Sequence, residues 1–397
     1  MQPPCTATVN QLTIPAVSLK LQYASIREEV QAAVLRVFER HDFVLGAEVA
    51  ELEQEMARQH GCSHAIGCAS GSDALLLSLM ALGIGAGDAV LVPSLTFFAT
   101  AGSVARLGAR PLFADIDPRT FNLNPAAVEQ LLHENRSSRV KAIIPVHLYG
   151  QCADMGPIMG FAAQNSLTVI EDAAQAVLAR YRGQAAGSMG RAGCFSFYPS
   201  KNLSGAGDGG MITTNDSELA ERLRLLRNHG SADKLLFPLL GMNSRLDTLQ
   251  AAVLLVKLRH LEDWTRRRRQ KADYYRQAFT GTDLVSPDER YPTKQAPIVL
   301  PYHAPQAEHV YHQFTVRAYA RDKLAAHLEA NGVGTAIYYP VPLHHQPAFA
   351  SLGAAAVCPE AERAAAEVLS LPLYPELTDS QQSYVVEQVC SFYKASR

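Results

Sequence analysis

The chain has 397 residues, 48% hydrophobic and 19% charged, which is enough for one large globular unit and a smaller one and excludes a disordered or fibrous chain. A formal net charge of −2 removes the electrostatic basis for a nucleic-acid binder. Seven cysteines at irregular spacing, with no CxxC pair, support neither a disulfide framework nor a zinc site and fit reduced thiols in a cytoplasmic protein.

At the N-terminus, Pro3, Pro4 and Cys5 stand without a basic run followed by an apolar core, so no signal peptide is expected. The longest apolar stretch, 74–82, is interrupted by Ser78 and is too short to span a bilayer, so no membrane partner is expected. From 64 to 216 strand-like and helix-like runs alternate. Strands are predicted over 64–69, 89–93, 111–115, 141–146, 167–170, 193–197 and 210–214. They are short, apolar and without clean alternation, as in a mostly parallel sheet buried on both faces. Helices are predicted between them over 73–82, 99–107, 125–134 and 153–165. The pattern defines a doubly wound α/β unit, in which ligands bind at the carboxyl ends of strands.

Beyond 216 a helix to about 227 is followed by a loop to 245 and a strong amphipathic or buried helix over 247–261. A further helix over 261–279 carries Arg266, Arg267, Arg268 and Arg269, read as a solvated face. Strands over 310–319 and 334–339 and helices over 321–331, 361–369 and 380–393 complete a smaller α+β unit. The expected division is a large unit, 1–260, whose N-terminal segment can pack on the small one, 261–397.

The chemistry concentrates at strand ends. Cys194-Phe195-Ser196-Phe197-Tyr198-Pro199-Ser200-Lys201-Asn202-Leu203 reads as a buried strand ending in a turn that presents one lysine amine. A second strand ends in Glu171-Asp172-Ala173-Ala174-Gln175. A lone lysine there is usually a surface residue. Paired with an acid at a neighbouring strand end, it suits pyridoxal phosphate: the amine condenses with the aldehyde and the acid pairs with the protonated pyridine nitrogen. Gly67-Cys68-Ala69-Ser70-Gly71-Ser72-Asp73-Ala74-Leu75 is a strand–turn–helix junction whose free amides favour a phosphate, although Ser and Asp cap most helices. Gly205-Ala206-Gly207-Asp208-Gly209-Gly210 matches GxGxxG in letters but precedes a strand, so it is not a dinucleotide fingerprint.

Phe97, at another strand end, either stacks on a pyridine ring or packs in the core. In Gly241-Met242-Asn243-Ser244-Arg245-Leu246-Asp247, Asn243 either donates to a phosphate or belongs to a turn, and Arg245 pairs with Asp247 or with substrate. His309, His312, His344 and His345, with Tyr311, Tyr338 and Tyr339, suit sugar and phosphate contacts or simple structural roles. No metal is expected, because no acid stands near the histidines in sequence.

Together these segments resemble the DegT/StrS type of pyridoxal-phosphate-dependent sugar aminotransferase, over roughly 14–389. The matching motifs are Ser70-Gly71-Ser72-Asp73-Ala74-Leu75, Glu171-Asp172-Ala173-Ala174-Gln175, Ser196 to Leu203 and Asn243-Ser244-Arg245-Leu246-Asp247. The resemblance implies the aspartate aminotransferase fold (fold type I), with a seven-stranded, mostly parallel sheet, and a homodimer with shared active sites. It implies that Lys201 and Asp172 are catalytic and that Gln175 contacts the ring hydroxyl oxygen. Phe97 then stacks on the ring, Gly71, Ser72 and Ser196 hold the phosphate, and Asn243 reaches it from the partner subunit. Arg245, His312, Tyr338 and His344 are the candidate substrate contacts.

The implied reaction is a ping-pong transfer from glutamate to a keto nucleotide sugar, dTDP- or UDP-linked. Histidine replaces the lysine in related dehydratases, so Lys201 favours transamination. Ser244 and the segments around His312 and Tyr339 favour a 3-keto over a 4-keto sugar. Ser204 and Ala206 depart from the usual pattern and bear on the exact substrate. A C4 keto-sugar or keto-cyclitol aminotransferase and a non-catalytic sensor of the same fold are the alternatives.

Overall fold

Seven short runs of β-branched and apolar residues form one sheet: β1 (His64–Cys68), β2 (Ala89–Pro93), β3 (Arg110–Ala114), β4 (Val140–Ile143), β5 (Thr168–Asp172), β6 (Ala192–Ser196) and β7 (Gly210–Thr214). They are seen in a computed structural model that describes residues 13–135, 139–233, 235–285, 290–352 and 356–395. Pro3, Pro4 and Cys5 lie outside the described residues. The strand order is β1-β7-β6-β5-β4-β2-β3, and only β7 runs against its neighbours. The other six therefore point their carboxyl ends to the same edge, where Ser70, Phe97, Asp172 and Ser196 follow or end β1, β2, β5 and β6.

The missing alternation has a direct cause. Ile66, Val90, Val92, Cys194 and Ile212 face one apolar layer, and Ala65, Ala89, Leu91, Phe195 and Met211 face the other. Helices cover both faces, so neither set of side chains can be polar. They include α2 (Ala47–His60), α3 (Gly71–Ala81), α4 (Ala99–Arg106), α5 (Pro125–Glu134), α6 (Met155–Gln164) and α7 (Ser217–Leu226), while α1 (Leu19–Arg40) packs outside this layer. Helices α1 and α2 were not among the predicted elements. Ile26, Val30, Ala33 and Val37 of α1 form an apolar stripe against Ala252, Val253, Val256 and Trp264.

The helices predicted over 247–261 and 261–279 are one helix, α8 (Thr248–Thr280), which passes unbroken through the expected division. Its first half packs Leu254, Leu258 and Leu261 under the large sheet, and its second packs Ala272, Tyr275 and Phe279 into the small unit. The arginine run is not a uniformly solvated face. Arg266 and Arg267 pair with Asp263, but Arg268 is buried and donates to the Leu373 carbonyl at 3.0 Å, and Arg269 donates to that of His309 at 2.9 Å.

The small unit holds an antiparallel sheet of β8 (Ile298–Val299), β9 (Phe314–Ala318) and β10 (Val368–Leu371), with α9 (Arg321–Ala330), α10 (Pro359–Glu367) and α11 (Asp379–Ala395). Two expectations need correction. The helix predicted over 361–369 ends at Glu367, because Val368–Leu371 pairs with Phe314–Arg317. The strand predicted over 334–339 makes a single bridge, Ala336 to Ser370, and then turns Tyr338 and Tyr339 into the cavity at the sheet edge. The chain start joins this unit: the Ile14 amide donates to the Gly332 carbonyl at 2.8 Å.

Candidate active site

Between the large sheet's carboxyl edge and the small unit lies a cavity of about 570 Å³. It gathers Gly71, Ser72, Phe97, Asp172, Gln175, Ser196, Lys201, His312 and Tyr338, which the sequence had placed on separate segments.

Lys201 follows β6 in a tight turn, its amide donating to the Tyr198 carbonyl at 2.8 Å. Its side chain lines the cavity, and desolvation lowers the amine to about 8, against the attraction of Asp172. Asp172 is buried at the end of β5. Thr100 Oγ1 donates to its Oδ2 at 2.8 Å and the Ala174 amide to its Oδ1 at 3.2 Å. Burial raises the carboxyl above its ordinary value, although these bonds and the charge of Lys201 act against the shift.

The neighbouring acid faces the other way. Glu171 accepts from His147 Nε2 at 2.8 Å and from the amides of Gly187, Met189 and Gly190 at 2.8, 2.7 and 2.6 Å. His147 Nδ1 accepts from the Ala153 amide at 3.1 Å, which puts the imidazole proton on Nε2. Strand alternation thus gives Glu171 to the scaffold and Asp172 to the cavity.

Gln175 is fixed at both ends: Oε1 accepts from the Tyr149 amide at 2.7 Å and Nε2 donates to the Tyr339 hydroxyl at 3.3 Å. The Tyr149 hydroxyl in turn donates to the Tyr338 carbonyl. At the start of α3, Ser70 Oγ caps the Asp73 amide at 3.1 Å, which leaves the first amides, of Gly71 and Ser72, facing the cavity. A Cβ on Gly71 would stand 2.6 Å from Ser196 Cβ, so only glycine lets the cradle close on that serine. Phe97 is not a core residue. It is 55% exposed, lines the cavity and lies 6.2 Å from the Tyr339 ring. His312 Nδ1 lies 3.2 Å from Asn202 Oδ1, and burial pushes the imidazole well below its ordinary value, so it is neutral.

Three expected residues lie elsewhere. Asn243 is exposed on the loop before α8. Arg245 pairs with neither Asp247 nor the cavity: Nη1 donates to Asn228 Oδ1 at 2.8 Å and the side chain lines another hollow. Ser244 between them is buried, accepts from the Ala69 amide at 3.2 Å and donates to Asp73 Oδ2 at 2.8 Å, which ties this loop to the start of α3. His344 Nε2 lies 3.2 Å from Glu362 Oε1, and His345 shares that oxygen at 3.5 Å. The fold thus brings to the histidines an acid that sequence proximity did not reveal. Tyr149 and Thr100 were missed as site-building residues, and Tyr339 was expected to meet sugar or phosphate rather than to hold Gln175. Only their strand-end or aromatic-cluster positions carried a signal.

The residues fit an aromatic, phosphate-bearing cation. A desolvated carboxylate lacks a full counter-charge, an amine of lowered basicity faces it, and unpaired helix amides lie on the same cavity wall. Fold and site together suit a pyridoxal-phosphate-dependent enzyme built on a doubly wound sheet.

The sequence profile of the DegT/DnrJ/EryC1/StrS aminotransferase family matches residues 24–390. A pleiotropic regulatory protein of Geobacillus stearothermophilus is 48% identical, covering 96% of this chain and 99% of its own. The UDP-N-acetyl-3-dehydro-alpha-D-glucosamine 3-aminotransferase of Acidithiobacillus ferrooxidans is 46% identical over 93% and 95%. The structure of S. venezuelae DesV in complex with a ketimine intermediate superimposes with a TM-score of 0.89 at 42% identity, covering 96% and 99%. The chain belongs to the DegT/DnrJ/EryC1/StrS aminotransferase family, which depends on pyridoxal phosphate.

Proposed function

We propose that this protein transfers an amino group from glutamate to the C3 position of a dTDP- or UDP-linked 3-keto sugar, in amino-sugar biosynthesis, with pyridoxal phosphate bound at Lys201. The observation that carries the reading is the convergence of the Lys201 amine, the Asp172 carboxylate and the α3 amides on one cavity. The reaction named for the Acidithiobacillus relative supports the substrate class.

When bound, pyridoxal phosphate supplies an electron sink for the carbon that carries the amine. The remaining work falls to the protein. Lys201 Nζ, titrating near 8, takes a proton from that carbon and returns it on the other side of the transfer. Asp172 holds a positive charge at the ring nitrogen, because an opposite charge in a dry site favours the cation. The amides of Gly71 and Ser72, with the Ser196 hydroxyl, hold the phosphate. Phe97 covers the ring and Gln175 restrains its hydroxyl oxygen. His312 and Tyr338 contact the sugar; His344 drops out of this set because its imidazole is engaged with Glu362.

The same proposal includes a homodimer. Leu235, Leu236, Phe237 and Leu240 are 58–95% exposed on the loop that leads to Asn243, an apolar surface that a second copy can cover. Asn243 and Arg245 then act across the interface. Assignment of 1–260 to cofactor binding and 261–397 to closing the site belongs to this reading, as does a cytoplasmic location. Among the described residues no helix is long and apolar enough to cross a membrane.

The test is spectroscopic. Glutamate added to pyridoxal-phosphate-loaded protein should bleach the visible cofactor band and release 2-oxoglutarate. A 3-keto nucleotide sugar should then restore the band and become an amino sugar. A band unmoved by glutamate contradicts the reading and favours a sensor.

A further inference from the structure

A second cavity, about 430 Å³, lies where the segment around Arg119, the second half of α8 and the small sheet meet, and it shares no lining residue with the Lys201 cavity. Its walls carry Arg119, Arg276, Arg290 and Arg317, with Tyr302 and Thr315. No carboxylate lines it among the described residues. Among the described residues only Arg317 of these has a carboxylate within salt-bridge reach: its Nε donates to Glu367 Oε2 at 2.7 Å.

Among the described residues, none of the other three guanidinium groups has a carboxylate within salt-bridge reach. Arg276 donates to the Tyr311 hydroxyl at 3.1 Å, and Arg119 lies 5.4 Å over the Tyr302 ring. Two acids on the neighbouring segment, Asp115 and Asp117, are committed elsewhere. Asp115 accepts from the Glu360 and Ala361 amides, and Asp117 from those of Arg119 and Thr120.

Arg317 is 1% exposed, and its Nη1 donates to the Pro118 carbonyl at 2.9 Å, but its Nη2 is buried without an acceptor. A buried donor left unpaired is costly, and so is a cluster of like charges around a hollow. Arg317 Nη2 is closed off from the hollow, its guanidinium lying over the Phe121 and Tyr291 rings, so the cost an anion in the hollow relieves is that of the like charges. Arginine favours planar or tetrahedral oxyanions, which its fork of N–H groups can hold by two bonds. The volume exceeds that of a single ion and lies in the range of small-ligand sites.

We propose that this cavity is a binding site for a compact phosphate ester or diphosphate, separate from the amino-transfer site. Inorganic pyrophosphate is the probe. The pyridoxal-phosphate-loaded protein should be titrated with it calorimetrically at low salt, so that the α3 cradle is already filled. One saturable site per chain is expected, and affinity should fall steeply as salt is added. Arg276→Gln should weaken binding at least about tenfold, and Arg276→Lys should recover part of the loss. Arg119→Gln with Arg290→Gln, both at exposed positions, should also weaken binding at least about tenfold and guards against misfolding of the first variant. The absence of saturable binding, or wild-type affinity in the folded double variant, overturns the proposal. The variants localise the site whether or not the cradle is filled, so failure here is distinct from failure of the amino-transfer reading.

Discussion

Adjacent residues on one strand have opposite duties here. Burial keeps the Asp172 carboxylate short of counter-charge, as its proposed role at the ring nitrogen requires, whereas Glu171 is saturated by His147 and three backbone amides. Glu171→Gln must point an amide N–H₂ at one set of these donors, whichever way it is turned. We expect a loss of about 3 kcal/mol in stability, read from urea midpoints, because a charged acceptor is lost and donors are left unpaired. A change below about 0.5 kcal/mol, the level of an ordinary surface substitution, would contradict this role.

Lys257 offers a test by pH. Its amine, buried in α8 against Ser204 Oγ at 3.0 Å, is lowered by desolvation from 10.5 to about 8. The folded state resists the proton that the unfolded chain binds, so the cost is full below pH 8 and is relieved as pH rises to 10.5. Lys257→Met removes that cost. Its stability relative to wild type should be most favourable near neutrality and should decline by about 3 kcal/mol across that window. A difference that stays flat with pH would refute the shift. Lys201 and Asp172 were legible in the sequence because each follows a buried strand. Phe97 was not, because an isolated aromatic reads equally as core.

At the scale of elements, the α3 junction depends on close approach of backbones. Gly71→Ala should fold, yet its Cβ would meet Ser196 at 2.6 Å and prise open the phosphate cradle. We expect cofactor affinity to fall at least about tenfold, equivalent to about 1.4 kcal/mol, in an absorbance titration. Wild-type affinity would show that Ser196 yields without cost. The sheet strands were legible to within one to three residues, since a run buried on both faces carries an unbroken apolar signal. The same signal misled at 361–369, where an apolar run continues from helix α10 into strand β10 and only pairing with β9 separates them. Helices α1 and α2 escaped notice because their narrow apolar stripes run through many charged residues.

For the whole molecule, the course of α8 was the least legible feature. Two amphipathic stretches with different buried faces look like two helices until both packing surfaces are in place. The exposed leucines beside Asn243 place the dimer prediction at this scale. Mixed dimers of Lys201→Ala and Asn243→Ala should regain one intact site and exceed both parents in activity. No recovery after verified subunit exchange would remove Asn243 from a shared site. The central claim, that Lys201 anchors the cofactor for amino transfer, has a more direct measurement. The pyridoxal-phosphate-loaded protein should be reduced with borohydride, digested and mapped by mass spectrometry. The pyridoxyl adduct should lie on Lys201. An adduct on another lysine, Lys257 included, or none at all, would contradict it.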